Sequence, residues 1–230
     1  MHWAERLADE LISENPGKEE FLCVAGTSPS GSVHIGNFRD VATPYFVVKA
    51  LRARGKKAKL MLSWDDFDRL RKVPKNIAAI APDFEKYLGM PYCMIPDPYG
   101  KYSSFAEYNE KEYERSLEEM GIDIEYRYQG KEYTSGRYVP GILTAMHARK
   151  EIYDILMRYK TQDSDEGERE SYYPISVYCS SCKKDFTKVV SYNEEKEEIT
   201  YVCKACGKEE TVSLRDYHYV KLMWKIDWPM

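Results

Sequence analysis

The chain has 230 residues, 43% of them hydrophobic, with a formal net charge of -4. That length buries a sizeable core in one or two domains, and the acidic balance argues against indiscriminate nucleic-acid binding, whose affinity comes from cations neutralising phosphates. No run of 18 apolar residues occurs, and the mixed-charge amphipathic start does not read as a signal peptide, so no membrane partner and a cytoplasmic location are expected.

A first helix is predicted from Trp3 to Ile12, ended by Asn15-Pro16-Gly17. The apolar run Phe21-Leu22-Cys23-Val24-Ala25 reads as a strand of the kind buried in parallel sheets. After it, Thr27-Ser28-Pro29-Ser30-Gly31-Ser32-Val33-His34-Ile35-Gly36-Asn37 leads into a long helix from His34 to Arg54, bent at Pro44 and stopped by Gly55. A Gly/Ser turn between a strand and a helix N-terminus is a place for phosphate. Unpaired N–H groups attract the anion there, Gly31 and Gly36 remove β-carbons that would hold a nucleotide away, and His34 adds a donor. The pattern is neither the Walker sequence nor the dinucleotide fingerprint. A second strand follows from Ala58 to Ser63, which completes a βαβ start.

Beyond Pro74 a helix from Lys75 to Leu88 is interrupted by Pro82, and a turn-rich stretch contains Pro96-Asp97-Pro98-Tyr99-Gly100. Ser104 with Glu107 reads as a capping box opening a helix with Phe105, Tyr108, Leu117 and Met120 on its apolar face. Another helix is expected from Gly141 to Lys160, with a stripe of Ile142, Met146, Ile152, Leu156 and Tyr159 and a polar, mobile loop from Thr161 to Ser171. The pairs Cys179-x-x-Cys182 and Cys203-x-x-Cys206 have zinc-ribbon spacing, with hairpin strands over 186–192 and 198–202. A cytosolic chain disfavours disulfides, and neither pair sits at the strand-to-helix turn that a redox motif needs. Four thiolates leave no open position, so the Zn2+ would be structural. Cys23 and Cys93 read as small buried hydrophobes.

The string from Thr27 to Asp40, with His34-Ile35-Gly36-Asn37 in the place of a HIGH motif, resembles the class I lysyl-tRNA synthetases. Ser63-Trp64-Asp65-Asp66-Phe67-Asp68 and Lys225-Ile226-Asp227-Trp228-Pro229-Met230 resemble two further segments of that family, so the likeness spans nearly the whole chain. It implies an α/β fold: a Rossmann-like class I aminoacyl-tRNA synthetase half-domain over 1–74, and an inserted, mostly helical connective domain over 75–215 with its zinc ribbon at 175–212. Residues 216–230 would form a strand re-entering the catalytic sheet. The activity implied is ATP-dependent formation of lysyl-adenylate and transfer to tRNA(Lys), with Mg2+ accompanying ATP. In this reading His34 and Asn37 are catalytic and hold ATP phosphates together with Ser30 and Gly31, and Gly36 makes room for adenine. Gly26, Ser28, Asp66 and Trp224 meet L-lysine, with Asp65, Asp66 and Asp68 all candidates for the ammonium or for ribose hydroxyls.

Two departures qualify the resemblance. Lys101, Tyr102 and Tyr108 stand in a segment where the family often carries additional metal ligands, and no KMSKS signature occurs before Met230. The chain is therefore expected to be an N-terminal portion, inactive in isolation. Two alternatives stay open: a HIGH-superfamily nucleotidyltransferase acting without tRNA, and a non-catalytic module binding RNA or a protein. Local RNA contacts would fall to Arg52, Arg54, Lys56, Lys57 and Lys59, or to Arg69, Arg71, Lys72 and Lys75.

Overall fold

The structure, a computed structural model, describes residues 2–159 and 167–228. It divides into two compact units: one of Met1–Asp68, Val73–Phe84 and Tyr92–Gln129, the other of Arg69–Lys72, Glu85–Pro91 and Gly130–Met230.

The first unit is built on three parallel strands. β1 (Glu20–Thr27) pairs with β2 (Lys57–Trp64), Phe21 opposite Ala58 and Thr27 opposite Trp64, and β2 pairs with β3 (Glu125–Tyr128), Met61 opposite Glu125. Helices α1 (Trp3–Glu14), α2 (Ile35–Ala53) and α4 (Phe105–Glu119) supply Ala4, Ala8, Val48, Leu51, Tyr113 and Leu117 to a core that also takes Phe21, Ala25, Leu60, Leu62 and Trp64 from the sheet. Alternate residues of β1 do not share that core: Leu22 and Val24 are about half exposed. The apolar run expected to be buried on both faces is thus buried on one in this unit. α2 continues through Pro44 as one helix. The short helix α3 (Lys75–Ile80) ends before Pro82, and a 3-10 turn at Phe84–Tyr87 follows.

Ser104 caps α4 as expected, its hydroxyl accepting the Glu107 N–H at 3.1 Å. Glu107 does not return the bond to Ser104. Its carboxylate takes the N–H of Ser103 at 3.0 Å and the Ser103 hydroxyl, one residue upstream of a capping box. The buried face of α4 also differs from the expected stripe. It contains Asn109, Glu110 and Glu114, whereas Met120 is half exposed, because the polar groups find partners or a proton inside the unit.

In the second unit α5 (Gln129–Thr134), α6 (Val139–His147) and α7 (Arg149–Met157) precede two small antiparallel sheets. The expected single helix over 141–160 is broken at Ala148, which caps α6 and opens α7. Of the loop expected over 161–171, residues 161–166 lie outside the described residues. Arg149 holds the remainder, donating to the carbonyls of Glu170 at 2.8 Å and Tyr172 at 2.9 Å. One sheet pairs β4 (Ile175–Val177) with β8 (Val220–Leu222). The other orders β5 (Thr187–Asn193), β6 (Glu198–Cys203) and β7 (Glu209–Ser213) around the two expected hairpin strands, with β7 as an addition.

Two boundaries differ from the sequence reading. Residues 75–84 and 92–129, expected in the insertion, belong to the first unit, whose parallel sheet β3 extends. The strand expected over 216–230 to re-enter the catalytic sheet is a correction: among the described residues strand forms only at Val220–Leu222, and it pairs antiparallel with β4, not with the parallel sheet. Trp224–Asp227 is a helical turn, α8. Asp227 bonds back to Lys221, which favours a turn over extended chain. Pro229 and Met230 lie outside the described residues.

Candidate functional site

At the end of β1 the backbone turns through Ser28, Pro29, Ser30 and Gly31 into α2, whose N-cap is His34. The His34 ring accepts the Gly36 N–H at its Nδ1, 3.0 Å away, which leaves the ring proton on Nε2. His34 is exposed, so this Nε2–H is available to an anion arriving at the helix N-terminus. Asn37 closes the box: its Oδ1 accepts the His34 N–H at 3.3 Å, and its Nδ2 donates to the hydroxyl of buried Thr27 at 3.1 Å. The two residues expected to be catalytic, His34 and Asn37, therefore also build the cap of α2. Gly36 has a structural reason of its own. A β-carbon there would stand 2.8 Å from His34 Cε1, so the capping ring itself needs a glycine. At Gly31 a β-carbon would meet Pro74 at an ordinary 3.6 Å.

The sequence did not single out the residues beneath this turn. Buried Asn109 of α4 donates to the carbonyl of Pro29 at 3.3 Å and to that of Phe105 at 2.8 Å, tying the turn to α4. Glu114 gathers three donors: Trp64 Nε1 at 3.1 Å and Tyr128 Oη at 2.8 Å on one oxygen, and Lys111 Nζ at 2.7 Å on the other. Asn109 stands four residues after Phe105 and Glu114 three before Leu117, a spacing that was the available signal, obscured by their polar side chains.

Gly26 and Ser28 lie at the β1 exit, half-buried. Asp66 is buried, 4% exposed, with Asp65 and Asp68 on either side of it more open. Its charge adds to the burial that pushes the Glu110 carboxyl up to about 8, and to the burial that raises the Cys93 thiol. In the second unit Trp224 opens α8 and is 66% exposed, with the Lys225 ammonium 5.7 Å from the centre of its ring.

The four cysteines come together. Cys179 and Cys206 sulfurs are 3.6 Å apart, as are those of Cys182 and Cys203, and all four lie within 4.8 Å of one another. Disulfide sulfurs would be about 2.0 Å apart. A tetrahedron with metal–sulfur bonds of about 2.3 Å has edges of about 3.8 Å, so these sulfurs are close enough together to share a Zn2+-sized ion. Burial opposes a charge on Cys179, yet the N–H groups of Cys182 and Ser181 pull its thiol down to about 7, which favours the thiolate that a metal requires. Among the described residues this is the one set of three or more Cys, His, Asp or Glu side chains close enough to share an ion. The segment after Pro96 is organised otherwise, by Asp97 accepting the N–H groups of Tyr99, Lys101 and Tyr102 at 2.7–2.9 Å.

The cations considered for RNA contact are largely engaged. Arg54 pairs with Asp9, Lys56 with Glu19, Lys59 with Glu20 and Glu125, Arg52 with Asp123, and Arg69 with Asp185. No helix among the described residues is long and apolar enough to cross a membrane.

A parallel sheet whose first strand delivers a His-x-Gly-Asn cap to the following helix is the arrangement of a class I tRNA synthetase. The family profile described as tRNA synthetases class I (K) matches residues 1–230, and the chain belongs to that family. The resemblance read from 27–40 is thus borne out. The chain is 39% identical over 230 residues to the lysine–tRNA ligase of Treponema pallidum and 38% identical over 230 residues to that of Thermococcus kodakarensis, covering 100% of this chain and 43% of each relative. It is 37% identical over 260 residues to the lysine–tRNA ligase of Streptomyces coelicolor, which covers 99% of this chain and 45% of that protein. It therefore spans less than half the length of these relatives.

Proposed function

We propose that this chain is the ATP-binding portion of a lysine–tRNA ligase, which joins L-lysine to ATP as lysyl-adenylate and transfers the lysyl group to tRNA(Lys). The observation that carries the reading is the cap of α2, where the Nε2–H of His34 stands exposed at the positive end of the helix, beside the strand exit. In the first step a lysine carboxylate oxygen would attack the α-phosphorus, forming the O–P bond as the bond to the β-phosphate oxygen breaks and pyrophosphate leaves. His34, Asn37, Ser30 and Gly31 would bind and orient phosphate, and Mg2+ would travel with ATP. Charge stabilisation at such a centre is worth about 10²–10³ in rate per donor.

For lysine, the resemblance assigns Gly26 and Ser28 at the strand exit of the first unit, and separately, in the second, the aromatic face of Trp224. That face already holds an ammonium, that of Lys225, which supports its fitness for a lysine side chain. The three acids Asp65, Asp66 and Asp68 remain candidates for the ammonium or the ribose, and the burial of Asp66 favours its neighbours for direct contact. The four cysteines would hold a structural Zn2+ in a ribbon of β5, β6 and β7, and its chemistry there is cross-linking only.

The test is lysine-dependent ATP–pyrophosphate exchange by the protein with its full reading frame. Exchange should respond to lysine and not to leucine or glutamate, and His34→Ala should lower kcat about 10²-fold with the fold intact. Exchange indifferent to lysine would overturn the substrate. No exchange with any amino acid would favour a non-catalytic module.

A further inference from the structure

Helix α8 has four residues, no side-chain N-cap and no buried residue of its own. A helix this short does not persist by propensity, so something else must fix the turn that carries Trp224. Asp227, its last residue, accepts from Tyr133 Oη at 2.6 Å on one carboxylate oxygen and from Lys221 Nζ at 2.8 Å on the other. All three groups are sequestered: the Lys221 and Asp227 side chains are 8% and 13% exposed, and Tyr133 is 2% exposed. The Lys221 ammonium also stands 5.4 Å from the centre of the Tyr133 ring, and Tyr133 Oη receives the Leu222 N–H at 3.3 Å. One tyrosine thus joins β8 and α8, while the Met223 N–H reaches the Pro174 carbonyl at 2.9 Å.

A buried ion pair is a poor way to gain stability, since desolvating both charges offsets their attraction, and apolar side chains of similar volume commonly do as well. What it does provide is one arrangement: a shifted turn would strand a buried lysine or carboxylate. We infer that Lys221, Asp227 and Tyr133 are positioning residues for the amino-acid substrate, which lock the helical turn and so hold the Trp224 ring in place for the lysine stem. The inference rests on the proposed contact between Trp224 and lysine.

The experiment uses the full protein with Asp227→Asn, Asp227→Glu and Tyr133→Phe, the last removing one hydroxyl and little else. Amide exchange over 223–228 should accelerate about ten-fold or more in Asp227→Asn, with that of 187–213 unchanged. The KM for lysine should rise about five-fold or more, while the KM for ATP and kcat at saturating lysine move less than about two-fold; Asp227→Glu should recover most of the loss and Tyr133→Phe show a smaller version of it. Lysine and ATP constants moving together, or a loosened turn with unchanged lysine KM, would overturn the positioning role alone. A wild-type protein that activates no lysine would instead remove the reading beneath it.

Discussion

Glu110 of the parallel-sheet unit and Glu210 of the four-cysteine unit begin as the same carboxyl, and their surroundings draw their proton affinities apart, to about 8 and about 2. Around Glu110 burial dominates, reinforced by the negative charges of Asp66 and Glu114, against which Lys111 is a minor opposing influence. Its Oε1 is buried without a hydrogen-bond partner. Glu210 accepts from Ser180 Oγ at 2.5 Å and Tyr201 Oη at 2.6 Å, with the Lys208 ammonium 3.1 Å away. The contrast reflects which donors reach each carboxyl. Beside the apolar core of the first unit, Glu110 Oε1 has no donor while Glu114, four residues on, collects three; among the small sheets of the second, Glu210 is supplied with donors of its own.

The largest effect should come from removing the sulfur cluster. Sheets as small as β5, β6 and β7 bury little, and a structural Zn2+ contributes on the order of 10–16 kcal/mol of apparent binding free energy in small modules. Cys203→Ser should therefore drop bound metal well below one per chain and collapse amide protection over 187–213. Carboxyl carbon NMR titration should then find Glu210 back near about 4.5 and Glu110 still near its raised value. Metal-free protein with full protection over 187–213 would show that the sulfurs are not the staple, and movement of both glutamates would show that the two units do not keep their acids independently.

How much of this contrast the sequence revealed depended on whether a feature announces itself locally. The β1 run, the His34 cap, the Ser104 cap and the two cysteine pairs each combine a residue type with a short spacing, and all of them appear in the structure. β3 could not be read in this way: Glu125-Tyr126-Arg127-Tyr128 has no apolar alternation, and its pairing with β2 comes from a distant segment. The break at Ala148 has neither glycine nor proline to mark it. Asn109, Glu110 and Glu114 look like the wet side of an amphipathic helix. They are buried because Pro29, Trp64, Tyr128 and a retained proton satisfy most of their demands, and none of these lies within helical reach in sequence except through α4 itself. Trp224 falls within 216–230, where the resemblance implies a strand, and opens a helical turn instead. The Lys221–Asp227 pair that bends it into a turn shows only in three dimensions.

A middle-sized effect isolates Glu110. Its folded-state pKa is raised, so the folded chain holds a proton that the unfolded chain releases between about 4.5 and about 8. Stability from this group is fully present below about 4.5, falls as pH rises through that window, and is level above it. At about 1.4 kcal/mol per unit, the full swing has an upper bound of about 5 kcal/mol, which structural relaxation will reduce. Glu110→Gln, uncharged at every pH, should flatten the slope and make the variant more stable than wild type at pH 8 in urea unfolding. A steeper slope, or a variant weaker than wild type at pH 8, would mean that the ionised carboxylate is the favoured form and that the contrast with Glu210 is false.

The smallest effect belongs to Glu210 and has the opposite sign. Hydrogen bonds from Ser180 and Tyr201, then Lys208, depress its pKa, so its contribution is present above about 4.5 and is lost as pH falls toward about 2. With the side chain 28% exposed, solvent screens part of the interaction, and Glu210→Gln should cost on the order of 1 kcal/mol at pH 7. Acid also releases metal from thiolates, in wild type and variant alike, so the informative quantity is the difference between their urea midpoints at each pH. That difference should be constant from pH 7 to about 5 and shrink below it, whereas the difference between wild type and Glu110→Gln should change across the window up to about 8. A Glu210→Gln difference that instead grows as pH falls would show that its donors bind the protonated acid at least as well as the carboxylate. The depressed proton affinity, and with it the distinction between a donor-rich site at Glu210 and a donor-poor one at Glu110, would then have to be abandoned.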